Sequence, residues 1–340
     1  MNKKAAALVS GGLDSILAVR LMLDQGIEVV GLHFEHELCE YPMRSGKGPP
    51  AEAAFERHLA LPGYTTRRIH LGDGYQAMVR SPRFGRGSAM NPCVDCHVFM
   101  LKKAFALLPE LGASFIVTGE VLGQRPMSQH RQALDLIERD TGLQGLLLRP
   151  LCALNMEPTR PELEGVVDRS RLLDISGRGR GRQIEMAHAY GMADYPPPAG
   201  GCMLTERNFS ERLKDAYARS TGPLTADAIG LLKFGRHYRL PSGAKAVLGR
   251  DAHVNGLITG YAPPGAAILS PVVFPGPSAV LSDAAPGDAE LVASAIKHFS
   301  PKAGPGARVL VECGGETREL SPDAAFSYAT ALLPYAVGAS

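Results

Sequence analysis

Two short segments of this 340-residue chain combine residue types that do chemistry. The first is Ser10-Gly-Gly-Leu-Asp-Ser15. Adjacent glycines, Gly11 and Gly12, let backbone approach an anion with no Cβ in the way. A tight turn that feeds a helix aims its N–H groups at one spot, which suits a phosphate. Ser10 and Ser15 add hydroxyl donors, and Asp14 can hold a metal ion or orient a group beside the phosphates. No lysine follows the glycines, so the turn departs from the G-x-x-x-x-G-K-[ST] loop of γ-phosphate transfer. Gly-Gly alone would be an ordinary turn. The flanking serines and the aspartate single it out.

The second segment is Asn91-Pro-Cys-Val-Asp-Cys-His97. Cys93 and Cys96, at C-x-x-C spacing, fall on one side of a helix's first turn, where the helix dipole favours thiolate. Three chemistries fit: a redox or sulfur-relay pair, half of a zinc site, or an iron–sulfur cluster needing a third cysteine. No second C-x-x-C exists, which disfavours a four-cysteine zinc. Cys202, in the glycine turn Ala199-Gly-Gly-Cys-Met203, is the candidate third ligand, so the metal set is Cys93, Cys96 and Cys202. Cys39, Cys152 and Cys313 lie in or beside apolar segments and read as buried thiols.

The elements that position these segments alternate. Ala5–Val9, Glu28–Phe34, Thr65–Leu71, Ala113–Gly119 and Leu146–Arg149 read as strands. Helical patterns lie between or after them: Ile16–Gln25, Pro50–Leu61, Cys93–Leu111, Met127–Asp140 and Arg160–Arg169. That alternation predicts an α/β fold, a doubly wound parallel sheet with helices on both faces and ligands at the carboxyl ends of the strands. The glycine loop, Gly119-Glu120 and the cysteine segment then converge on one sheet edge. A proline and glycine stretch, Tyr195–Gly201, closes the first domain. The expected organisation is residues 1–205, a linker helix over 206–223, and a second, smaller α/β domain over 224–340. That domain's strands are His237–Leu240, Lys245–Leu248, Ala267–Val272, Ser278–Leu281 and Arg308–Glu312. Its helices are Ala252–Thr259, Asp288–His298 and Pro322–Leu333.

Bulk properties exclude some classes. A net charge of +2 means nucleic-acid contact must come from local patches. Hydrophobic content of 45% with 21% charged residues is that of a soluble globular chain. No apolar run approaches the roughly 20 residues of a membrane helix. A cytoplasmic protein with reduced thiols is expected, with no membrane partner.

The hexapeptide at Ser10–Ser15 resembles the SGGxDS signature of the PP-loop ATP pyrophosphatases. The resemblance implies a Rossmann-like, adenine nucleotide alpha hydrolase-like fold and the cofactors ATP and magnesium. It also implies AMP transfer with release of pyrophosphate. Gly119-Glu-Val-Leu-Gly-Gln-Arg-Pro-Met-Ser-Gln129, followed by Leu148-Arg-Pro-Leu151, looks like the second half of that domain in tRNA 4-thiouridine synthases. The Asn91–Cys96 segment is similar to the N-P-x-x-x-C of tRNA 2-thiouridylases, which makes Cys96 the better catalytic cysteine. C-x-x-C with a distant cysteine also resembles PP-loop thiolases that hold a [4Fe–4S] cluster on three thiolates.

These resemblances imply an ATP-dependent tRNA sulfurtransferase that adenylates a nucleobase carbonyl and inserts sulfur. Its implied catalytic residues are Cys96, Cys202 and Asp14. Ser10, Gly11, Gly12, Asp14, Ser15, His33, Phe34, Gly119 and Gln124 are the implied nucleotide site, with Glu120 a secondary candidate. The implied partners are tRNA and a sulfur donor such as a cysteine desulfurase or sulfur-carrier protein. With the loop starting at residue 10, no docking domain is expected before it and no rhodanese-like segment after it. RNA contact is therefore assigned to three basic groups: Arg80, Arg83 and Arg86; Arg178, Arg180 and Arg182; and Arg236 with Arg250 and Lys245. The last group lies where Phe234–Leu240 and Gly249–Asn255 resemble the RNA-binding domain of the NFACT proteins. Two alternatives stay open: an adenylating amidotransferase or ligase for a small molecule, and an RNA- or ribosome-associated binder without turnover.

Overall fold

The structure, a computed structural model, describes residues 1–38, 57–192, 195 and 202–338. It divides into two units, Met1–Cys202 and Met203–Ser340. The expected Pro50–Leu61 helix, Cys39 and most of the Tyr195–Gly201 stretch lie largely or wholly outside the described residues.

In the first unit five strands form one sheet: β1 (Lys4–Leu8), β2 (Glu28–Glu35), β3 (Tyr64–His70), β4 (Phe115–Thr118) and β5 (Leu147–Leu148). All neighbours pair parallel, in the order β3-β2-β1-β4-β5. Side chains of an extended strand alternate between faces, and β1 shows it directly. Ala5 and Ala7 join one core with Leu13, Ile16 and Leu17 of α1 (Leu13–Leu23). Ala6 joins the opposite core with Leu101 and Ala104 of α3 (Cys93–Leu111) and Ile137 of α4 (Arg131–Thr141). Strands buried on both faces read as continuous apolar runs, which is why β1 and β4 were legible, whereas β3 at the sheet edge is mostly exposed. The doubly wound parallel sheet is the expected one. Strand order reverses at β1, so the crevice beyond the carboxyl ends of β1 and β4 is the topological switch point, where such sheets bind ligands.

Some elements differ from expectation. The helix expected over Arg160–Arg169 stops at Leu163 (α5, Arg160–Leu163), because the chain turns at Gly165 with φ +68°. Two further helices, α2 (Asp73–Arg80) and α6 (Gly181–Ala189), were not expected. The latter begins inside a run of arginines and glycines that read as a loop.

The second unit carries a six-stranded sheet, β6 (Arg236–Arg239), β7 (Lys245–Leu248), β8 (Ala267–Pro271), β9 (Ala279–Ser282), β10 (Val309–Cys313) and β11 (Glu316–Leu320). Its order is β11-β10-β8-β9-β7-β6, antiparallel throughout. Helix α10 (Asp288–His298) covers one face with Val292, Ala293 and Ile296. Ile258 of α9 (Ala252–Gly260) packs on Val247 and Val280 of the other. The expected linker helix is α7 (Arg207–Arg219). It belongs to this unit, with Phe209 and Leu213 buried. Beside it lies α8 (Ala226–Leu232), another helix that sequence reading missed. The helix expected over Pro322–Leu333 shrinks to α11 (Tyr328–Ala331), because the chain before it docks on α10 through Asp323 N–H to Ser294 Oγ at 2.9 Å.

Candidate active site

Strand β1 delivers Ser10–Ser15 to the switch point. Gly11 takes φ +77°, a conformation open to glycine at no steric cost. Gly12 is the N-cap residue of α1, and Ser15 Oγ donates to its carbonyl at 2.7 Å. Ser10 is exposed, and its Oγ accepts a long 3.4 Å bond from Gly12 N–H. Ser15 N–H at the start of α1 meets Gly12 O at 3.0 Å, while the Leu13 and Asp14 N–H groups precede any carbonyl of the helix that could accept from them. The turn therefore presents backbone donors and the Ser10 hydroxyl to whatever occupies the crevice.

Gly119, just after β4, presses on the loop. A Cβ there would lie 2.5 Å from both Asp14 C and Ser15 N. The segment that follows turns back over the loop, and Gln124 Nε2 donates to Asp14 Oδ2 at 2.7 Å. Gln183, fully buried on α6, donates to Gln124 Oε1 at 3.2 Å. Asp14 Oδ1 is buried with no hydrogen-bond partner among the described residues, and Arg180 Nη2 stands 3.9 Å from it. His33 is fixed beside the loop, its Nδ1–H donating to Val9 O at 3.1 Å, while Phe34 packs into the core under α3.

The thiols sit on separate partners. Cys93 Sγ donates to Ser128 Oγ at 3.2 Å, and Cys96 Sγ is 3.2 Å from Tyr75 Oη. Cys202 Sγ lies 3.9 Å from Asn91 Oδ1, which brings it to the start of the C-x-x-C segment. Cys152 is buried, and burial pushes its thiol up, as befits an inert core cysteine. Cys313 departs from expectation. It is exposed at the end of β10, because β10 runs out past the core toward a hairpin turn.

Behind Cys93 runs a line of buried charge. Burial alone would raise the Cys93 thiol, but the hydrogen bond and charge of His97, with Ser128 and Arg125, outweigh it and lower it. His97 Nδ1 lies 2.9 Å from Glu120 Oε1, and Arg149 Nε donates to Glu120 Oε2 at 2.9 Å. Arg149 also pairs with Glu138. Burial opposes the charge on His97, yet Cys93 and Glu120 push it up to about 10. His97 and Arg149 were missed in the sequence. His97 stands one helical turn after Cys93, the i, i+4 spacing of side chains on one helix face, and that was the available signal.

The basic groups differ in accessibility. Arg83 pairs with Asp140 at 2.5 Å, and Arg86 donates to the carbonyls of Val79 and Arg80. Arg178 is exposed, and Arg182, also exposed, pairs with Asp174. Arg180 has turned inward, its side chain 15% exposed. In the second unit Arg236 donates to Gly249 O at 3.0 Å and lies over the Phe299 ring, while Arg250 is exposed. Lys245 is tied to Asp215 at 2.7 Å, so it does not face solvent as expected. Arg212, unremarked in the sequence, is buried nearby and donates to Leu232 O and Gly235 O.

The residues present fit a magnesium–nucleotide. Glycines leave the cradle open, and the orphaned Asp14 oxygen matches a hydrated cation. They do not fit a cluster as arranged: among the described residues no three of His, Cys, Asp or Glu are grouped to hold a metal. Nor is any described helix long and apolar enough to cross a membrane.

Residues 1–159 match the family model of the thiamine biosynthesis protein ThiI, and residues 235–328 match that of the NFACT protein RNA binding domain. The chain is 34% identical over 128 residues to the tRNA-specific 2-thiouridylase MnmA of Nitratidesulfovibrio vulgaris, covering 36% of this chain and 35% of that protein. It is 28% identical over 163 residues to a probable tRNA sulfurtransferase of Thermococcus kodakarensis, 45% of this chain and 38% of that one. The crystal structure of a 4-thiouridine synthetase–RNA complex with bound ATP aligns at 21% identity and a TM-score of 0.37, covering 56% of this chain and 41% of that chain. The chain thus spans little more than a third of the length of the first two relatives.

Proposed function

We propose that this chain is an ATP-dependent tRNA sulfurtransferase. The observation that carries the reading is the glycine loop at the switch point, clamped by Gly119 and by Gln124 on Asp14, in the same unit as the thiols of Cys93, Cys96 and Cys202. The family-model match over residues 1–159 and the relatives named for tRNA thiolation support it. The NFACT-type match over 235–328 supports RNA as the partner.

The loop's N–H groups and the hydroxyls of Ser10 and Ser15 hold the phosphates of ATP, with adenine along the backbone at His33 and Phe34. Asp14 would hold magnesium, which supplies charge neutralisation of the pyrophosphate. A uracil carbonyl oxygen attacks the α-phosphorus, and pyrophosphate leaves. A sulfane sulfur, delivered by a persulfidic donor to Cys96, attacks the activated base carbon, and AMP departs with the original oxygen. Cys202 then attacks the Cys96 sulfur, which releases the thiocarbonyl and leaves a disulfide for an external dithiol to reduce. No step passes through an iron–sulfur cluster. Such an enzyme works in the cytoplasm, where its tRNA is.

The test is the full chain with tRNA, MgATP and a persulfide donor, read as thionucleoside by mass spectrometry and as ATP–pyrophosphate exchange. Both are expected, and both are lost in a Ser10→Ala/Asp14→Ala double variant. Exchange that survives in that variant overturns the assignment of the loop.

A further inference from the structure

Arg180 occupies a place that neither its sequence context nor the matched segment 1–159 assigns. It lies in Gly177-Arg-Gly-Arg-Gly-Arg182, whose alternation suggests guanidinium groups spread into solvent. The fold instead fastens this segment to the wall of the nucleotide crevice. Gly177 N–H donates to Leu122 O at 2.8 Å, and Ser176 pairs with Leu122 as an isolated parallel bridge. Gly123 sits so close that a Cβ on it would meet Gly177 N at 3.3 Å. Four residues after Gly177, directly after Arg180, α6 begins, and its Gln183 reaches Gln124, which in turn holds Asp14. Arg180 is thus anchored from both sides with its guanidinium over the loop.

Its pairing there is incomplete. Nη2 is 3.9 Å from Asp14 Oδ1, beyond hydrogen-bond reach. Asp14 Oδ1 and Arg180 Nε are both buried with no hydrogen-bond partner among the described residues. Such groups are costly to leave unmade, and one ligand satisfies both: a phosphate oxygen accepts from Nε while a hydrated cation faces Oδ1. The loop itself carries no lysine, and Arg180 brings a full positive charge beside it. Pyrophosphate leaving from an α-phosphorus gathers negative charge there, where a positioned guanidinium is most effective.

We propose that Arg180 is a phosphate-contacting catalytic residue of the nucleotide site, resting on Asp14 when the site is empty and turning onto the pyrophosphate of ATP. The proposal deepens the sulfurtransferase reading and rests on its assignment of the loop. It is tested on the full chain with three probes: magnesium pyrophosphate binding by calorimetry, ATP–pyrophosphate exchange with tRNA present, and tRNA binding on filters. Arg180→Ala is expected to weaken pyrophosphate binding at least about tenfold and to slow exchange about 100-fold, with tRNA affinity unchanged. Arg180→Lys is expected to recover part of both, and circular dichroism checks that each variant folds. Pyrophosphate binding within twofold of wild type in Arg180→Ala overturns the proposal, as does a selective loss of tRNA affinity. So does a wild-type chain with no affinity for pyrophosphate. Absence of thionucleoside with the binding pattern intact overturns the sulfurtransferase reading and leaves Arg180 where the proposal puts it.

Discussion

Gly119 shows how little room the crevice leaves. Its hydrogen faces the backbone of Asp14 and Ser15, and backbone cannot rotate away as a side chain can. Gly119→Ala is therefore expected to destabilise the first unit by about 1–3 kcal/mol, the usual range for overpacking. Nucleotide binding should be lost because α1 and its loop are pushed apart from β4. Urea unfolding and equilibrium dialysis with ATP check both. A variant that binds ATP normally would show that the loop can move. Position 119 was singled out in the sequence from a motif; the reason glycine is required there is visible only in the packing. His97 illustrates the reverse. Its spacing from Cys93 was in the sequence, but its carboxylate partner, Glu120, lies just past the end of β4 and no local pattern connects them.

At the scale of elements, the helices α3 and α4 and the ends of strands β4 and β5 are joined by Glu120, His97, Arg149 and Glu138, groups that no local pattern connects. Burial pushes the Glu120 carboxyl up, but Arg149 and His97 outweigh it and hold it well below the usual carboxylate range. A group depressed in this way stabilises the fold above its unfolded pKa, and that contribution is lost as pH falls. Glu120→Gln is thus expected to cost about 3 kcal/mol at pH 7. The gap from wild type should narrow as pH drops below about 4.3, measured by urea unfolding at pH 7, 5 and 3.5. A gap that does not change with pH would mean that Glu120 acts by shape rather than charge. The same scale explains β11. Glu316–Leu320 is exposed at all but Leu320, and three of its five residues are charged, so it carries no apolar alternation. Its signal was the Gly314-Gly315 pair, both at positive φ, which closes a two-residue hairpin with β10.

At the scale of the whole molecule, two units of different architecture share one chain. The first has a parallel sheet with a phosphate-type loop, and the second an antiparallel sheet matched to an RNA-binding domain. If the second unit holds RNA through phosphates, Arg250→Ala in the full chain weakens tRNA binding evenly across tRNA species. It also lowers the slope of log affinity against log salt by about one. Filter binding over a salt series measures this. A loss confined to one tRNA, with the slope unchanged, would point to base contacts instead.

The parallel sheet and the loop after β1 were legible in the amino-acid sequence, because these signals are local. A buried parallel strand is a continuous apolar run, and a phosphate turn is six consecutive residues. The direction in which Arg180 points, the pairing of Lys245 with Asp215, and the His97, Glu120 and Arg149 behind Cys93 emerged with the packing alone. Those are matters of ion pairing between elements far apart in the chain. A charged residue shows the same letter whether it reaches solvent or is folded back onto a partner, and the choice rests on which opposite charge the packing brings within a few ångströms.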